Sequence, residues 1–407
     1  MLLKSSPTTH QYVLTEEQRR MYASEKLENF RWISKIVATY SNYTLTNADI
    51  APDELYQELA ELGEPSAPQF DGDIDVCYLG QFAEAAYSAV PIQFLIDNFT
   101  IMNQPDFPLE NYDALLDCVL VDSFRGSVAD LPAYIAFRPS TGQLVVSISG
   151  TASIKHALYD VRALRVSHPS RRGSVHSGFW ALYQGLKSQL LAGIQKGISE
   201  HSPTELVLAG HSMGGSISYL LCMDLLDDQN LLPDNLKIQM AVFGVPRSGD
   251  SHLVNNFRSL VEAFQGRSGN LFKEYSVKGY NDGLYLLISL SSAQLIHLFK
   301  SNECIRREGV PALPPAFMGY RHFCPTPIYT VGGKLYQTPA SECEHALFHV
   351  ASDEENKEKI FLFPKGGHNY YNGRDLERFS RRINWLDKAR PMESGWDERY
   401  RTIATQS

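Results

Sequence analysis

The feature that most constrains the fold of this chain is the run G-H-S-M-G at residues 210–214, the only G-x-S-x-G in the sequence. Residues 206–209 form a short apolar stretch that leads directly into this run, and residues 216–226 continue from it as an apolar helix. A sharp turn from strand to helix exposes a serine hydroxyl to a base and to backbone N–H groups. The run therefore predicts a nucleophile at Ser212.

The flanking pattern predicts an α/β protein. Residues 134–137 and 144–148 flank a turn signal at 139–142, which predicts a hairpin. Residues 179–198 have helical periodicity, and residues 240–243 read as a further strand. This alternation predicts a mostly parallel central sheet that is covered by helices on both faces.

Composition excludes several classes of protein. The chain has 407 residues, of which 43% are hydrophobic, so it can bury a large core. Its net charge of -9 provides no basic field for nucleic acid, and no nucleic-acid partner is expected. The longest apolar run, residues 284–299, is too short and too polar for a comfortable bilayer crossing, so no transmembrane segment is expected.

The cysteines and the first residues favour an intracellular protein. The first residues, M-L-L-K-S-S-P, lack the apolar stretch of a secretory signal. The six cysteines have no paired metal-type spacing and suggest reduced thiols. From these observations we expect an intracellular, cytoplasmic location.

Three segments are expected along the chain. A capping-box pattern begins an amphipathic helix over residues 15–38, and an acidic stretch with Pro and Gly at 50–73 reads as a connecting loop. The predicted division is a helical extension and linker at 1–70, a catalytic domain at 71–390 and a tail at 391–407.

Further motifs in register resemble the class 3, fungal-type lipase family of α/β-hydrolases. In chain order they are L-G-Q-F-A-E-A-A-Y (79–87), G-T-x-S-I (150–154), Asp160, V-H-S-G-F (175–179), G-H-S-M-G-G (210–215) and F-G-V-P-R-S-G (243–249). The resemblance covers residues 75–373 and implies an α/β-hydrolase fold that cleaves carboxylic esters without a cofactor. It also implies that Arg247 and His176 brace loops rather than take part in catalysis.

The α/β-hydrolases carry serine, acid and histidine in that order along the chain. The base is therefore expected late in the sequence, and His368 lies between glycines in a loop similar to that of the family. Asp282, which follows an asparagine, is the predicted acid, and Asp250 is the alternative. Thr151 and the backbone of Met213 are the predicted oxyanion hole.

Two parts of the chain depart from the family pattern. Residues 152–164 have helical spacing, which suggests either a lid over the serine or a fixed packing helix. His156 and Ala157 stand where the lid of the family commonly has Asn-Trp. Residues 284–309 interrupt a stretch that is otherwise continuous in the family. Three explanations stay open for this insertion: an element that shapes substrate access, a harmless surface excursion, or translated intron sequence, which is slightly favoured.

No metal site is expected. His345 and His349 have the i,i+4 spacing of two ligands on a helix, but no second ligand pair has matching spacing.

The predicted function is hydrolysis of carboxylic esters of lipids, with acylglycerols as the expected substrates. The protein is expected to contact a lipid interface transiently. One alternative is a catalytically inactive, lipase-like lipid-binding or scaffold protein in which the insertion has disabled the acid. A second is a feruloyl-type esterase, an enzyme class that usually acts outside the cell. Acyl-chain length, positional preference and oligomeric state are left open.

Overall fold

The computed structural model describes residues 57–61, 76–151, 164–279, 310–314, 316–331, 334–337, 344, 368 and 376–406. The strands in these residues are β1 (Gln57–Glu61), β2 (Val119–Arg125), β3 (Pro132–Arg138), β4 (Gln143–Ile148), β5 (Arg165–Ser167), β6 (Ser174–His176), β7 (Glu205–His211), β8 (Lys237–Phe243), β9 (Gly249–Asp250), β10 (Lys273–Gly279), β11 (Tyr320–Arg321), β12 (Ile328–Val331) and β13 (Lys334–Gln337). The helices are α1 (Val76–Ala85), α2 (Ile92–Asp97), α3 (Phe99–Met102), α4 (Ser177–His201), α5 (Met213–Asp227), α6 (Ser251–Ser268), α7 (Leu376–Lys388) and α8 (Trp396–Gln406).

One large mixed sheet organises the described part of the chain. Its strand order is β1-β13-β12-β10-β8-β7-β4-β3-β2. The central strands β12, β10, β8, β7 and β4 are parallel to one another, whereas the strands on either side pair antiparallel. The carboxyl ends of the parallel strands therefore lie along the same edge, where α/β proteins place their active sites.

The sheet separates two apolar cores. In β7, Leu206 and Leu208 face one core while Val207 and Ala209 face the other, and all four side chains are fully buried. Helices α4, α5 and α6 cover the first face, and α1, α2, α3, α7 and α8 cover the second. Burial on both faces explains why this strand reads as an uninterrupted apolar run rather than an alternating one.

A second, antiparallel sheet has the order β11-β9-β6-β5. Its strands have only two or three residues each. It joins the segment before α4 to the segment before α6, because β6 and β9 pair at Val175 and Gly249.

The predicted central elements are present, and the observed elements are longer. The hairpin forms from β3 and β4, and the helix predicted at 179–198 is α4. The helix predicted to begin at residue 216 begins at Met213, directly after the serine. The structure confirms the predicted α/β architecture with a mostly parallel sheet.

The predicted connecting loop at 50–73 is wrong for residues 57–61. These residues form β1, which pairs antiparallel with β13 and so occupies the edge of the sheet. An edge strand presents unpaired N–H and C=O groups, and a segment with charged residues, such as Q-E-L-A-E, is typical of that position. The helix predicted over 15–38 lies outside the described residues.

The segment predicted as a tail at 391–407 contains α8, which packs on the second core. Trp396 and Tyr400 are buried, and the Tyr400 ring stacks on Phe107 with centroids 4.6 Å apart. The apolar residues of α8 recur at i, i+4 and i+7, so this mostly polar helix has one apolar face, which packs on the core. The division of the chain into three segments stays a prediction.

Arg382 joins α7 to the loop that follows α3. Its side chain is 5% exposed and donates to Glu110 at 2.6 Å, to Asp106 at 3.0 Å and to the Phe107 carbonyl at 3.0 Å. Burial alone raises the pKa of Glu110, but the hydrogen bond from Arg382 and the charges of Arg378 and Arg382 outweigh it, so the pKa is lowered. Glu110 is therefore ionised at neutral pH.

We predict that Arg382→Ala lowers the free energy of unfolding by about 2–3 kcal/mol, because it leaves the partly buried Glu110 without this donor. Urea denaturation measures the change. Arg267→Ala is the control, since the partner of Arg267 is the largely exposed Asp234 and surface pairs contribute about 0–1 kcal/mol. Equal losses in the two variants would contradict the prediction.

Candidate active site

Ser212 lies on the turn between β7 and α5. Its φ of 57° and ψ of -128° place it in a region that residues with a side chain rarely adopt. Its N–H donates to the Phe243 carbonyl at 2.7 Å, which ties the turn to the end of β8. The surrounding structure must hold such strain in place, and strained residues of this kind cluster at functional sites.

The glycines of the motif permit this turn by close approach. A Cβ at Gly214 would lie 2.1 Å from the Ile148 carbonyl oxygen, and a Cβ at Gly210 would lie 2.5 Å from the Gly214 carbonyl carbon. Only glycine therefore lets the first turn of α5 rest against the end of β4. The spacing of the sequence motif follows from this contact.

His368 meets Ser212 although 156 residues separate them in the chain. The His368 Nε2 is 3.1 Å from the Ser212 Oγ, and both side chains are buried. This is the distance at which a histidine can accept a proton from a serine hydroxyl. The structure thus brings together the predicted nucleophile and the predicted base.

The predicted oxyanion donors belong to the start of α5 and to the segment that follows β4. Met213 is the first residue of α5, where backbone N–H groups have no acceptor within the helix. Thr151 follows β4 by three residues, and the close approach of Gly214 to Ile148 brings the end of β4 against the start of α5. Helix N-termini favour negative charge, so this corner is suited to an oxyanion.

His211, the residue before the serine, bridges two other parts of the site. Its Nδ1 is 2.7 Å from the Tyr87 Oη, and its Nε2 is 2.6 Å from the His368 carbonyl oxygen. The rings of His211 and His368 are 4.6 Å apart. Neither Tyr87 nor His211 was predicted as a site residue, because the motif leaves position 211 unspecified and Tyr87 lies 124 residues upstream.

Asp282, the predicted acid, lies outside the described residues. Asp250, the alternative, is the N-cap of α6: one carboxylate oxygen accepts from the Leu253 N–H at 2.9 Å and the other from the Ser174 N–H at 3.0 Å. It also pairs with Arg165 at 3.8 Å. These contacts explain an aspartate at position 250 by its structural role.

Arg247 braces a loop, as its position in the sequence suggested, whereas the side chain of His176 caps a helix. Arg247 is almost fully buried, and it pairs with Glu344 at 2.6 Å and donates to the Pro314 carbonyl at 3.2 Å. His176 is the N-cap of α4 and accepts from the Phe179 N–H at 3.3 Å.

Several predicted features fall outside the described residues. They are residues 152–163 of the lid segment, the insertion at 284–309, and both His345 and His349. In the described ranges, no group of three or more His, Cys, Asp or Glu side chains is arranged to hold a metal ion. No helix within those ranges is both long and apolar enough to span a bilayer.

We predict that Gly150→Ala abolishes most of the activity, because the new Cβ would lie 1.9 Å from the Tyr87 Oη and 2.6 Å from the His211 carbonyl oxygen. A misplacement of about 1 Å at an active site can cost about 100-fold in rate. Turnover of a short-chain ester measures the effect. Gly266→Ala in α6 is the control, since nothing lies within 4 Å of its Cβ position, and wild-type turnover in Gly150→Ala would overturn the prediction.

We also predict that acidification destabilises the fold through buried histidines. Burial holds the pKa of His211 well below its usual value, aided by His368, and burial does the same for His322, aided by Lys278 and Arg247. Both stay neutral in the folded protein, whereas the unfolded chain binds these protons below about pH 6.5. Between about pH 6.5 and 5, each therefore lowers the free energy of unfolding by up to about 1.4 kcal/mol per pH unit.

Urea denaturation at pH 7.5, 6.5 and 5.5 measures this slope. His322→Gln should flatten it, whereas His252→Gln, at an exposed position, should leave it unchanged. An unchanged slope in His322→Gln would count against the assignment.

Comparison with known proteins finds similarity to one family over part of the chain. Residues 145–271 match the model of the family described as Lipase (class 3). A lipase from Rhizomucor miehei is 27% identical over 145 residues, which are 35% of this chain and 39% of that protein. Secreted mono- and diacylglycerol lipase 1 from Fusarium solani is 21% identical over 208 residues, which are 51% of this chain and 50% of that protein.

Another relative, secreted mono- and diacylglycerol lipase MDL2 from Malassezia globosa, is 24% identical over 225 residues, covering 52% of this chain and 60% of that protein. The chain thus spans less than two thirds of the length of each of these relatives.

Among solved structures, Rhizomucor miehei triacylglyceride lipase aligns with a TM-score of 0.51 and 18% identity, covering 80% of this chain and 99% of that one. The native Rhizomucor miehei lipase propeptide complex aligns with a TM-score of 0.50 and 18% identity, covering 82% of this chain and 86% of that one. These likenesses show that the chain has the α/β-hydrolase fold.

The prediction of an intracellular, cytoplasmic location is wrong, because the Fusarium solani and Malassezia globosa relatives are named secreted lipases. The cysteines could not have indicated the compartment. Cys118, Cys222 and Cys324 are free and buried, and burial raises the pKa of each thiol, that of Cys118 to about 12. A buried thiol without thiolate character is inert in either redox environment.

Four observations agree: the serine turn, the histidine beside it, the family match over the strands that build the turn, and the fold of the solved lipases. Residues 145–271 of the chain are therefore similar to the class 3 lipase family.

Proposed function

We propose that the chain is a serine hydrolase that cleaves carboxylic esters of lipids, with acylglycerols as its substrate class, and that it acts outside the cell. The observation that carries the proposal is the 3.1 Å contact between His368 Nε2 and Ser212 Oγ at a strained turn before a helix. The names of the relatives support the lipid substrate and the extracellular setting.

In the first half of the reaction, Ser212 Oγ attacks the ester carbonyl carbon. His368 Nε2 accepts the hydroxyl proton as the new bond forms, and the carbonyl oxygen becomes an oxyanion. The Met213 N–H and Thr151 stabilise that oxyanion. Collapse of the tetrahedral intermediate breaks the bond to the alcohol, which leaves with the proton from His368, and Ser212 keeps the acyl group.

In the second half, water attacks the acyl-enzyme. His368 accepts a proton from the water, the same oxyanion donors stabilise the second tetrahedral intermediate, and the fatty acid leaves as Ser212 regains its proton. This cycle needs no cofactor, since the charges that develop are met by the histidine and by backbone dipoles.

We assign the acid to Asp282. It follows Gly279, the last residue of β10, by three residues, and β10 is parallel to β8. The carboxyl end of β10 therefore opens on the same edge of the sheet as Ser212 and Thr151. The two N–H donors bound to Asp250 support the same choice, because they give that carboxylate a structural role.

Acylglycerols are favoured over feruloyl esters because the relatives that the chain resembles are named lipases or mono- and diacylglycerol lipases. The expectation of an intracellular protein was the sequence argument against a feruloyl-type esterase, and that argument no longer applies. A direct comparison of acylglycerols with a feruloyl ester separates the two classes. As part of the acylglycerol proposal, we expect the protein to contact a lipid interface transiently.

We predict that an organophosphonate directed at serine labels Ser212 in the wild-type protein, and that Ser212→Ala abolishes labelling. Both Ser212→Ala and His368→Ala should lower kcat by about 1,000-fold or more. Peptide mapping by mass spectrometry locates the label, and a chain-length series of acylglycerol esters measures turnover. A wild-type protein that neither labels nor turns over any ester would favour the inactive lipid-binding alternative.

The paired variants Asp282→Asn and Asp250→Asn test the acid. The first should lower kcat while the midpoint of urea denaturation changes little, because the asparagine cannot stabilise a charged imidazole. The second should lower stability through the lost cap of α6, typically by about 1 kcal/mol. If Asp250→Asn loses kcat and Asp282→Asn does not, the assignment of the acid is reversed.

A further inference from the structure

The hydrogen-bond donors around His211 can be assigned without ambiguity. The His368 carbonyl oxygen can only accept, so the His211 Nε2, 2.6 Å away, carries the proton. A neutral imidazole then presents Nδ1 as an acceptor, and the Tyr87 Oη at 2.7 Å donates to it. The result is a directed chain from the Tyr87 hydroxyl through the His211 ring to the backbone of His368.

These hydrogen bonds fix the position of His368 relative to Ser212, because His211 and Ser212 are adjacent in the sequence. The Ser212 N–H is held by the Phe243 carbonyl at 2.7 Å, so the position of residue 211 is set by the pairing of β7 with β8. A hydrogen bond from His211 to the His368 carbonyl therefore sets where the base stands. The His211 and His368 rings also contact each other, with centroids 4.6 Å apart and planes at 38°.

Tyr87 also contacts the other half of the site. Its hydroxyl lies where a Cβ at Gly150 would be only 1.9 Å away, so the ring end packs directly against the backbone that leads to Thr151. Tyr87 follows α1 by two residues and is largely buried. The Tyr87 hydroxyl thus contacts both His211, which binds the backbone of the proposed base, and Gly150, which precedes Thr151.

We propose that Tyr87 and His211 are positioning residues that hold the catalytic histidine and the oxyanion segment in register with Ser212, through the chain Tyr87 Oη to His211 Nδ1 and His211 Nε2 to the His368 carbonyl. This inference rests on the proposed function. It assigns Tyr87 and His211 no contact with the substrate.

Tyr87→Phe removes only the hydroxyl and is the primary test. We expect kcat to fall about tenfold with KM unchanged, since the hydroxyl positions catalytic groups rather than binding the ester. Tyr134→Phe is the matched control, because the hydroxyl of Tyr134 in β3 is also buried and donates to the carbonyl of Phe82 in α1 at 2.8 Å. Equal losses of kcat in the two variants, or a rise in KM alone, would overturn the proposal.

Substitution of His211 separates positioning from packing. The amide of Gln reaches the position of Nε2 and can still donate to the His368 carbonyl, whereas the amide of Asn ends near the position of Nδ1 and cannot. We expect His211→Gln to keep a larger share of kcat than His211→Asn. In the His211→Asn background, Tyr87→Phe should cost little more, which a double-mutant cycle measures. Fully additive losses would refute the coupling.

The wild-type protein distinguishes failure of this inference from failure of the proposed function. If the wild type is labelled at Ser212 and turns over esters while Tyr87→Phe behaves as wild type, only the positioning role is wrong. If the wild type itself is neither labelled nor active, the proposed function is wrong and the inference falls with it. The imidazole ¹⁵N shifts of His211 give an independent readout, which should report a proton on Nε2 in the wild type.

Discussion

The parallel, in-register pairing of β4, β7 and β8 is the constraint on which the site depends. Ile148 pairs with Gly210, and His211 pairs with Phe243, so three strands end within one residue of each other. The chain after β4 leads to Thr151, the chain after β7 leads to Ser212, and the Phe243 carbonyl at the end of β8 holds the serine N–H. A shift of one residue in either pairing would separate these groups and would reverse which core each side chain faces.

The sequence predicted this centre well because its local signals agree with the tertiary structure. The apolar run before Gly210 is buried on both faces, and the glycines at 210 and 214 are required by contacts of less than 3 Å. Such constraints leave few choices of residue and are visible in the sequence. His368 could be proposed from chain order and from its glycine-rich surroundings, and the structure then supplied the distance to Ser212.

Other parts could not be read in the same way. The role of His211 depends on Tyr87, a residue far upstream, and hydrogen bonds over that separation leave no local pattern. β1 forms because β13 offers an edge, and neither segment has the apolar alternation of a typical strand. The periodicity of α8 was present in the sequence, as Trp396, Tyr400 and Ile403 recur at helical spacing, but its polar composition concealed it.

The proposed nucleophile and the helices that lie near Tyr87 and the proposed base in the chain belong to different sides of the sheet. Ser212 begins α5, which covers one core, whereas α1, which precedes Tyr87 in the chain, and α7, which follows His368, cover the other. The short gap between Ser212 Oγ and His368 Nε2 therefore separates the start of a helix in one layer from a residue that precedes a helix of the other layer in the chain. The proposed catalysis depends on the alignment of those layers, so heat or mild denaturant that loosens the α1–α7 side alone should abolish it while the parallel sheet is still intact.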